Sequence, residues 1–382
     1  MSTAIVHDWL PVFSGAEQVV AAIMNAVGPS DLFTLYNFLD EEDTRRIGAK
    51  KIVTSYLDKL PLREKYYRYT FPFCPNAIES FDLSAYDLII SSSAAFAKGV
   101  IVHPHQKHVA YVHTPVRYAW DQTYEYLRRT RFARPPFGIA LRSALHDLRR
   151  WDHRTGNGPD LMVANSSSVR RRIEQIYGRD SVVLHPPVDV ANFALQPEKD
   201  DYFVVASRLV PYKRIDLVVE AFRSLPNQRL VVCGDGPELP KLKALAGKNV
   251  EFAGHLPRGK LIETIQRARA FIFAAYEDFG IVIAEAQAAG TPVIAYHQGG
   301  AKDIVVPLEA DNPTGVLFPE QTAAAVAVAV ERFLTDGVKI SAHACHENAL
   351  RFSTEQFRMK LSRIIEQVQD PGFSRFGMLP SV

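Results

Sequence analysis

From Tyr202 onward the chain repeats one pattern: a short aliphatic run, a loop rich in glycine and charge, then a helical period. "YFVVASRLVPYKRIDLVVEAFRSL" opens it, and "RLVVCGDGPELPKLKAL", "VEFAGHLPRGKLIETIQRA", "AFIFAAYEDFGIVIAEAQAAG" and "TPVIAYHQGGAKDIV" continue it. Strands that are aliphatic throughout must be covered on both faces, and helices between them make successive strands parallel. This half therefore reads as a doubly wound α/β domain.

The first half begins in the same way, with "TAIVHDWLPVFSGAEQVVAAIMNAV" as strand, loop around Gly15, and helix. Later, "YDLIISSSA", "HVAYVHTP" and "DLMVANSSS" each end an apolar run in polar residues. Ligands bind beyond the carboxyl ends of strands in such sheets, so these residues line a candidate site. The prolines and charges of "HPPVDVANFALQPEKDD" read as a linker. We place the boundary near Asn192 to Gln196, giving Rossmann-like domains over 1–192 and 193–365 and a tail over 366–382. The terminal helical pattern, "TEQFRMKLSRIIEQV", can pack on either half. A chain of 382 residues, 47% hydrophobic, has enough core for two domains.

With 44 basic against 42 acidic residues, no global field favours nucleic acid as a partner. Cys74, Cys233 and Cys345 lie far apart, which suits a reducing compartment. No apolar run reaches the length of a membrane span, and "MSTAIVHDWLP" lacks a signal-peptide core. The expectation is a cytoplasmic protein.

Three stretches carry chemistry. In "SRLVPYKRID", Arg208 ends a strand, and Lys213 and Arg214 sit at a helix start, where cations oppose the helix dipole. They make sense there beside a bound anion held by backbone amides; a solvated basic turn is the plain alternative. In "YEDFGIVIAEAQAAG", Glu277 precedes Asp278, which fits an N-cap, and Glu285 lies inside an apolar helix. A carboxylate in that setting either accepts hydroxyl hydrogen bonds, as a ribose diol offers, or belongs to an ion pair. Gly280, Gly299 and Gly300 fall in loops where the backbone approaches a ligand or takes positive φ. In "YVHTPVRYAWD", His113 follows a buried strand and precedes Arg117, Tyr118 and Trp120, a mixture suited to sugar contact. "HACHEN", with His343, Cys345 and His346, reads as a polar helical face rather than a metal cluster, and the chain has no DxD triplet.

These stretches together resemble the retaining GT-B glycosyltransferases of family GT4. "EDFGIVIAEAQAAGTPVIA" with "GGAKDIV" looks like the family's E-x7-E signature, "ASRLVPYKRIDLVVEAF" its diphosphate loop, and "SGAEQVV" its N-terminal glycine loop. "VHTPVRYAWD", "ANSSSVRRRI" and "LHPPVDVANF" resemble the bacterial mannosyltransferases of O-antigen and exopolysaccharide synthesis. The resemblance implies two Rossmann-like domains facing across a cleft. It implies that Arg208 and Lys213 hold a donor diphosphate, with backbone amides near Gly15 and from Gly280 through Ile281 to Val282. It assigns Glu285 to the ribose, Glu277 to the transferred hexose, and His113 to the acceptor side of the reacting centre. "GHLPRGKL" would frame the nucleobase. The sequence departs from the family pattern at "AKD", where Asp303 stands near the place of a common glutamate.

The implied activity is transfer of a hexose, first of all mannose from GDP-mannose, to a glycan or polyprenyl-diphosphate-linked saccharide. No metal or other cofactor is expected. UDP-glucose or another sugar nucleotide is the alternative donor, and a sugar-nucleotide 2-epimerase the alternative activity. Basic residues interleaved with aromatics (Arg63, Lys65 and Arg68; then Arg128, Arg129, Arg131, Arg134, Arg142, Arg149 and Arg150) suggest peripheral contact with an anionic membrane, at the inner face of the plasma membrane.

Overall fold

The computed structural model describes residues 2–130 and 137–373. The chain forms two compact units, Met1–His185 with Phe357–Val382, and Pro186–Gln356. The division falls at His185, a few residues before the linker chosen from sequence, and the chain returns to unit 1 for its last helix. That helix, Thr354–Gln369, explains the return. Phe357, Leu361, Ile364, Ile365 and Val368 recur at helical spacing and are buried in the unit 1 core.

Unit 1 holds a seven-stranded parallel sheet: β1 Thr3–His7, β2 Asp31–Thr34, β3 Lys51–Thr54, β4 Leu88–Ser93, β5 Lys107–Val112, β6 Leu161–Ala164 and β7 Val182–Val183. Their spatial order is β3-β2-β1-β4-β5-β6-β7. Unit 2 has β8 Phe203–Ala206, β9 Leu230–Cys233, β10 Val250–Gly254, β11 Ala270–Phe273, β12 Val293–Tyr296 and β13 Gly315–Phe318, ordered β10-β9-β8-β11-β12-β13. Both sheets are therefore doubly wound, and each reverses its winding once, between β1 and β4 and between β8 and β11.

The aliphatic strands do what their composition demands. Along β8, Phe203 and Val205 enter one core cluster while Val204 and Ala206 enter another on the opposite face. The helix Ile215–Arg223 covers the first face with Leu217, Val218, Ala221 and Phe222. The helix Ile281–Ala288 covers the second with Ile283, Ala284, Ala286 and Ala288.

Candidate functional site

In unit 2, the loops leaving β8 and β11 meet at the winding reversal. Four adjacent loops are interlocked there, backbone on backbone. A Cβ on Gly234, after β9, would lie 1.9 Å from the Ser207 carbonyl oxygen, and one on Gly236 would lie 2.3 Å from that of Leu209. A Cβ on Gly299, after β12, would lie 2.0 Å from the Glu277 oxygen, and one on Gly300 would lie 2.3 Å from Phe279 backbone. Gly299 does take positive φ, at 71°. What both glycines approach is the 277–279 segment, so their first role is to hold that loop in place. Gly234 and Gly236 do the same for the Ser207–Leu209 turn, a role sequence reasoning missed.

This scaffold sets the charged residues. Lys213 closes a short turn, Pro211–Lys213, and its ammonium pairs with the Glu277 carboxylate across from the β11 loop. Arg214 stands next at φ 54°, in the left-handed region, and is held by Asp216 at 3.2 Å and by Gln321 at 3.3 Å. Arg214 is thus spent on the local turn. Arg208 is exposed and makes no ion pair among the described residues.

Glu285 is 14% exposed and takes a 2.5 Å ion pair from Arg258, the first residue of the helix Arg258–Arg267. The Arg258 guanidinium in turn lies 5.4 Å from the Phe193 ring centroid. The ion-pair alternative for Glu285 is therefore real, and the partner comes from "GHLPRGKL", the loop expected near the base.

Asp278 does not cap the following helix. Gly280 occupies the N-cap of Ile281–Ala288 at φ 89°, and no side chain caps it. The amides of Ile281 and Val282 consequently meet no acceptor among the described residues. Two bare amides, an exposed guanidinium and an ammonium shared with Glu277 thus stand on the loops that follow β8 and β11, and groups of these kinds are ones that bind anions. Asp303 lies in the short helix Ala301–Ile304. His346 bonds the Ala288 carbonyl at 2.6 Å, and Cys345 is buried against Thr314.

His113 and Gly15 belong to unit 1, and there the winding reversal is built differently. Asp8 follows β1, is 1% exposed, and accepts four backbone hydrogen bonds, from Ala94, Ala95, Phe96 and Ala97, at 2.5, 2.9, 2.6 and 2.7 Å. Beside it runs a chain of bonds to His113. His7 Nδ1 lies 2.9 Å from the Ser92 carbonyl oxygen and 3.2 Å from its Oγ, and Ser92 Oγ lies 2.8 Å from His113 Nε2. A carbonyl only accepts, so His7 Nδ1 carries a proton, which leaves Ser92 Oγ free to donate to His113 Nε2. Burial and the nearby His7 push the His113 imidazolium down, to about 3, so the ring is neutral. The bond to Ser92 Oγ fits either neutral tautomer, since a hydroxyl both donates and accepts.

Gly15 opens the helix Gly15–Val27 behind Ser14, whose amide and hydroxyl both bond Glu17, at 3.2 and 3.0 Å. Burial tends to raise the Glu17 carboxyl, but bonds from His7 and Ser14 outweigh it and hold it below the usual range. The S-x-x-E spacing made this capping box legible in the sequence. His7, Asp8 and Ser92 carried no such signal. Trp120, expected near sugar, donates instead to buried Asp152 at 2.7 Å, beside the Lys98–Asp152 ion pair. Arg131 and Arg134 lie outside the described residues.

Residues 190–352 match the family described as glycosyl transferases group 1. A GDP-mannose-dependent alpha-(1-6)-phosphatidylinositol monomannoside mannosyltransferase of Mycolicibacterium smegmatis is 28% identical over 246 residues, 56% of this chain and 63% of that protein. Its namesake from Mycobacterium tuberculosis is 32% identical over 216 residues, 48% of this chain and 54% of that protein. The match thus spans roughly half to under two thirds of these relatives' length. Among solved structures, Anabaena HepE in complex with UDP and glucose superposes at TM-score 0.67 with 17% identity, covering 96% of this chain and all of the other. Sucrose-phosphate synthase of Thermosynechococcus elongatus gives 0.68 with 18% identity, covering 96% and 99%. The fold, two parallel-sheet α/β units, is therefore of the GT-B type.

Proposed function

We propose, from the match of residues 190–352 to the glycosyl transferases group 1 family, that the chain is a retaining glycosyltransferase. It moves a hexose, most simply mannose from GDP-mannose, to a glycan or a polyprenyl-diphosphate-linked saccharide of a bacterial surface polysaccharide. What supports this in unit 2 is that Lys213 is joined to Glu277 by an ion pair, that the helix Ile281–Ala288 just beyond starts with uncapped amides, and that exposed Arg208 lies on the same turn as Lys213. The departing nucleoside diphosphate gains negative charge as the glycosidic bond breaks, and fixed cations and amides stabilise that charge where it develops. They do so without a metal ion, which is the basis for proposing metal independence. GDP-mannose is favoured by the names of the mannosyltransferase relatives.

Retention fits the carboxylates. Glu277 is tied to Lys213 and Glu285 to Arg258, so neither stands as an unengaged nucleophile, and attack on the face the diphosphate leaves is the simpler route. Glu277 contacts the hexose and Glu285 the ribose, each exchanging part of its ion pair for hydroxyl groups. His113 stands on the acceptor side as a neutral imidazole.

The test is incubation with GDP-mannose, UDP-glucose or dTDP-glucose and a lipid-linked saccharide, with and without EDTA. A glycosylated lipid from GDP-mannose, formed equally in EDTA, is the expected product. A sugar nucleotide inverted at C2 identifies an epimerase instead, and activity that EDTA abolishes and manganese restores contradicts the cation-and-amide account.

A further inference from the structure

Unit 1 contains a pocket of about 400 Å³ that the site above does not use. Trp9 and Pro11, just past the carboxyl end of β1, form one wall; Tyr118 and Tyr126 form another. Tyr67, Arg68 and Phe71 close it from the segment between β3 and β4. Rings meet rings around it: Phe71 and Tyr118 at 5.8 Å between centroids, Tyr118 and Tyr126 at 5.7 Å. The size is that of a small-molecule site.

What could enter is limited by what lines it. A saccharide subsite presents carboxylates or side-chain amides to hydroxyl groups, and none lines this pocket. The lining is aromatic but for Pro11, the thiol of Cys74 and one cation, Arg68, whose guanidinium lies over Tyr67 and bonds no carboxylate among the described residues. An apolar chain ending in an anion matches that arrangement.

The rim supplies a second, independent observation. On the segment that provides Tyr67, Arg68 and Phe71, Leu62 is 69% exposed and Phe73 62% exposed, with Leu60 and Tyr66 also outward. Leu62 is moreover held at φ 56°, a left-handed backbone that leucine rarely adopts. Large apolar side chains kept in water beside Lys59, Lys65 and Arg68 form the pattern of a surface that meets an anionic bilayer.

We propose that the pocket takes the start of the apolar chain of a phosphate-linked lipid acceptor, with Arg68 at its phosphate and Leu60, Leu62 and Phe73 entering the bilayer that holds it. This rests on the glycosyltransferase reading above and adds where, on unit 1, the lipid part is recognised. Recognition of the lipid then becomes separable from recognition of the sugar.

The probe is farnesyl diphosphate, titrated into the full chain by tryptophan fluorescence with excess GDP present so that the nucleotide crevice is filled. Farnesol and inorganic diphosphate are the controls. Farnesyl diphosphate should bind at least tenfold more tightly than either control. Arg68→Gln, at an exposed position, should weaken it about tenfold, and Trp9→Phe should remove most of the signal. Equal affinity of wild type and Arg68→Gln, or displacement of the probe by a free disaccharide, would overturn the proposal. GDP affinity, measured first by calorimetry, keeps the two readings apart. GDP binding without farnesyl diphosphate binding sinks the pocket alone, whereas the reverse result sinks the transferase reading and leaves the pocket standing.

Discussion

The two winding reversals share a topology and differ in who supplies the anion. In unit 1 the amides of residues 94–97 close on Asp8, a carboxylate of the chain itself. In unit 2 the amides of Ile281 and Val282 are bare, and the loop that leads to them carries Glu277, the partner of Lys213. A doubly wound sheet gathers backbone donors at its reversal whatever the sequence. Unit 1 fills the place from within, which makes a rigid support; the open one in unit 2 is where we propose that the diphosphate binds. The sequence difference at this point is a single acidic residue after β1 against a serine and an arginine after β8.

The strongest way to break this contrast is to empty the filled site. Asp8→Ala strands four amides, three of them on buried residues, and a buried amide left unmet costs on the order of 1–3 kcal/mol. We expect a loss of at least about 3 kcal/mol in the urea unfolding free energy, with unit 1 affected first. A variant as stable as wild type would mean that the Asp8 cradle is incidental.

Next comes the open site. Lys213→Ala should weaken GDP binding and slow transfer more than tenfold, since a charge-assisted contact contributes roughly 1.5–3 kcal/mol. Unchanged calorimetric affinity and turnover would return Lys213 to a solvated turn paired with Glu277.

Acid separates the units by a different route. Burial pushes His108 down to about 3, and burial with His7 does the same to His113. Both folded values lie below the unfolded value, so the unfolded chain takes up protons first as pH falls. Stability is intact above about pH 6.5 and declines from there toward 3, by up to about 1.4 kcal/mol per pH unit for each histidine. Hydrogen exchange at pH 7, 6 and 5 should show unit 1 peptides opening before those of unit 2. Simultaneous opening would count against these two histidines as the acid-sensitive element.

The smallest expected effects divide the glutamates. Glu285→Gln should weaken GDP and GDP-mannose alike by a few-fold, as loss of a ribose contact does, while Glu277→Gln should mainly lower kcat. Equal losses confined to free GDP affinity would remove the division of roles.

Much of this was legible in the sequence, for identifiable reasons. The strands of unit 2 are aliphatic on both faces, and that property alone dictates a covered parallel sheet with a ligand edge. Arg208, Lys213, Glu277 and Glu285 stood out because charge at a strand end or in an apolar helix is costly without a partner. The partner itself was not legible: Arg258 lies 27 positions before Glu285, and only the fold brings them within 2.5 Å. Asp8 was hidden for the same reason, since its four donors sit 86 to 89 positions away. For the last helix the sequence left the packing open, since periodicity marks an apolar face but not the core that receives it.

The central claim is that the unit 2 reversal, and not that of unit 1, receives the nucleoside diphosphate. Amide hydrogen exchange of the full chain with and without saturating GDP tests it directly. The account predicts slowed exchange in peptides covering Arg208–Arg214 and Gly280–Ile283, with no change over Ala94–Ala97. Protection over Ala94–Ala97, or GDP binding that leaves both unit 2 segments unchanged, would contradict it.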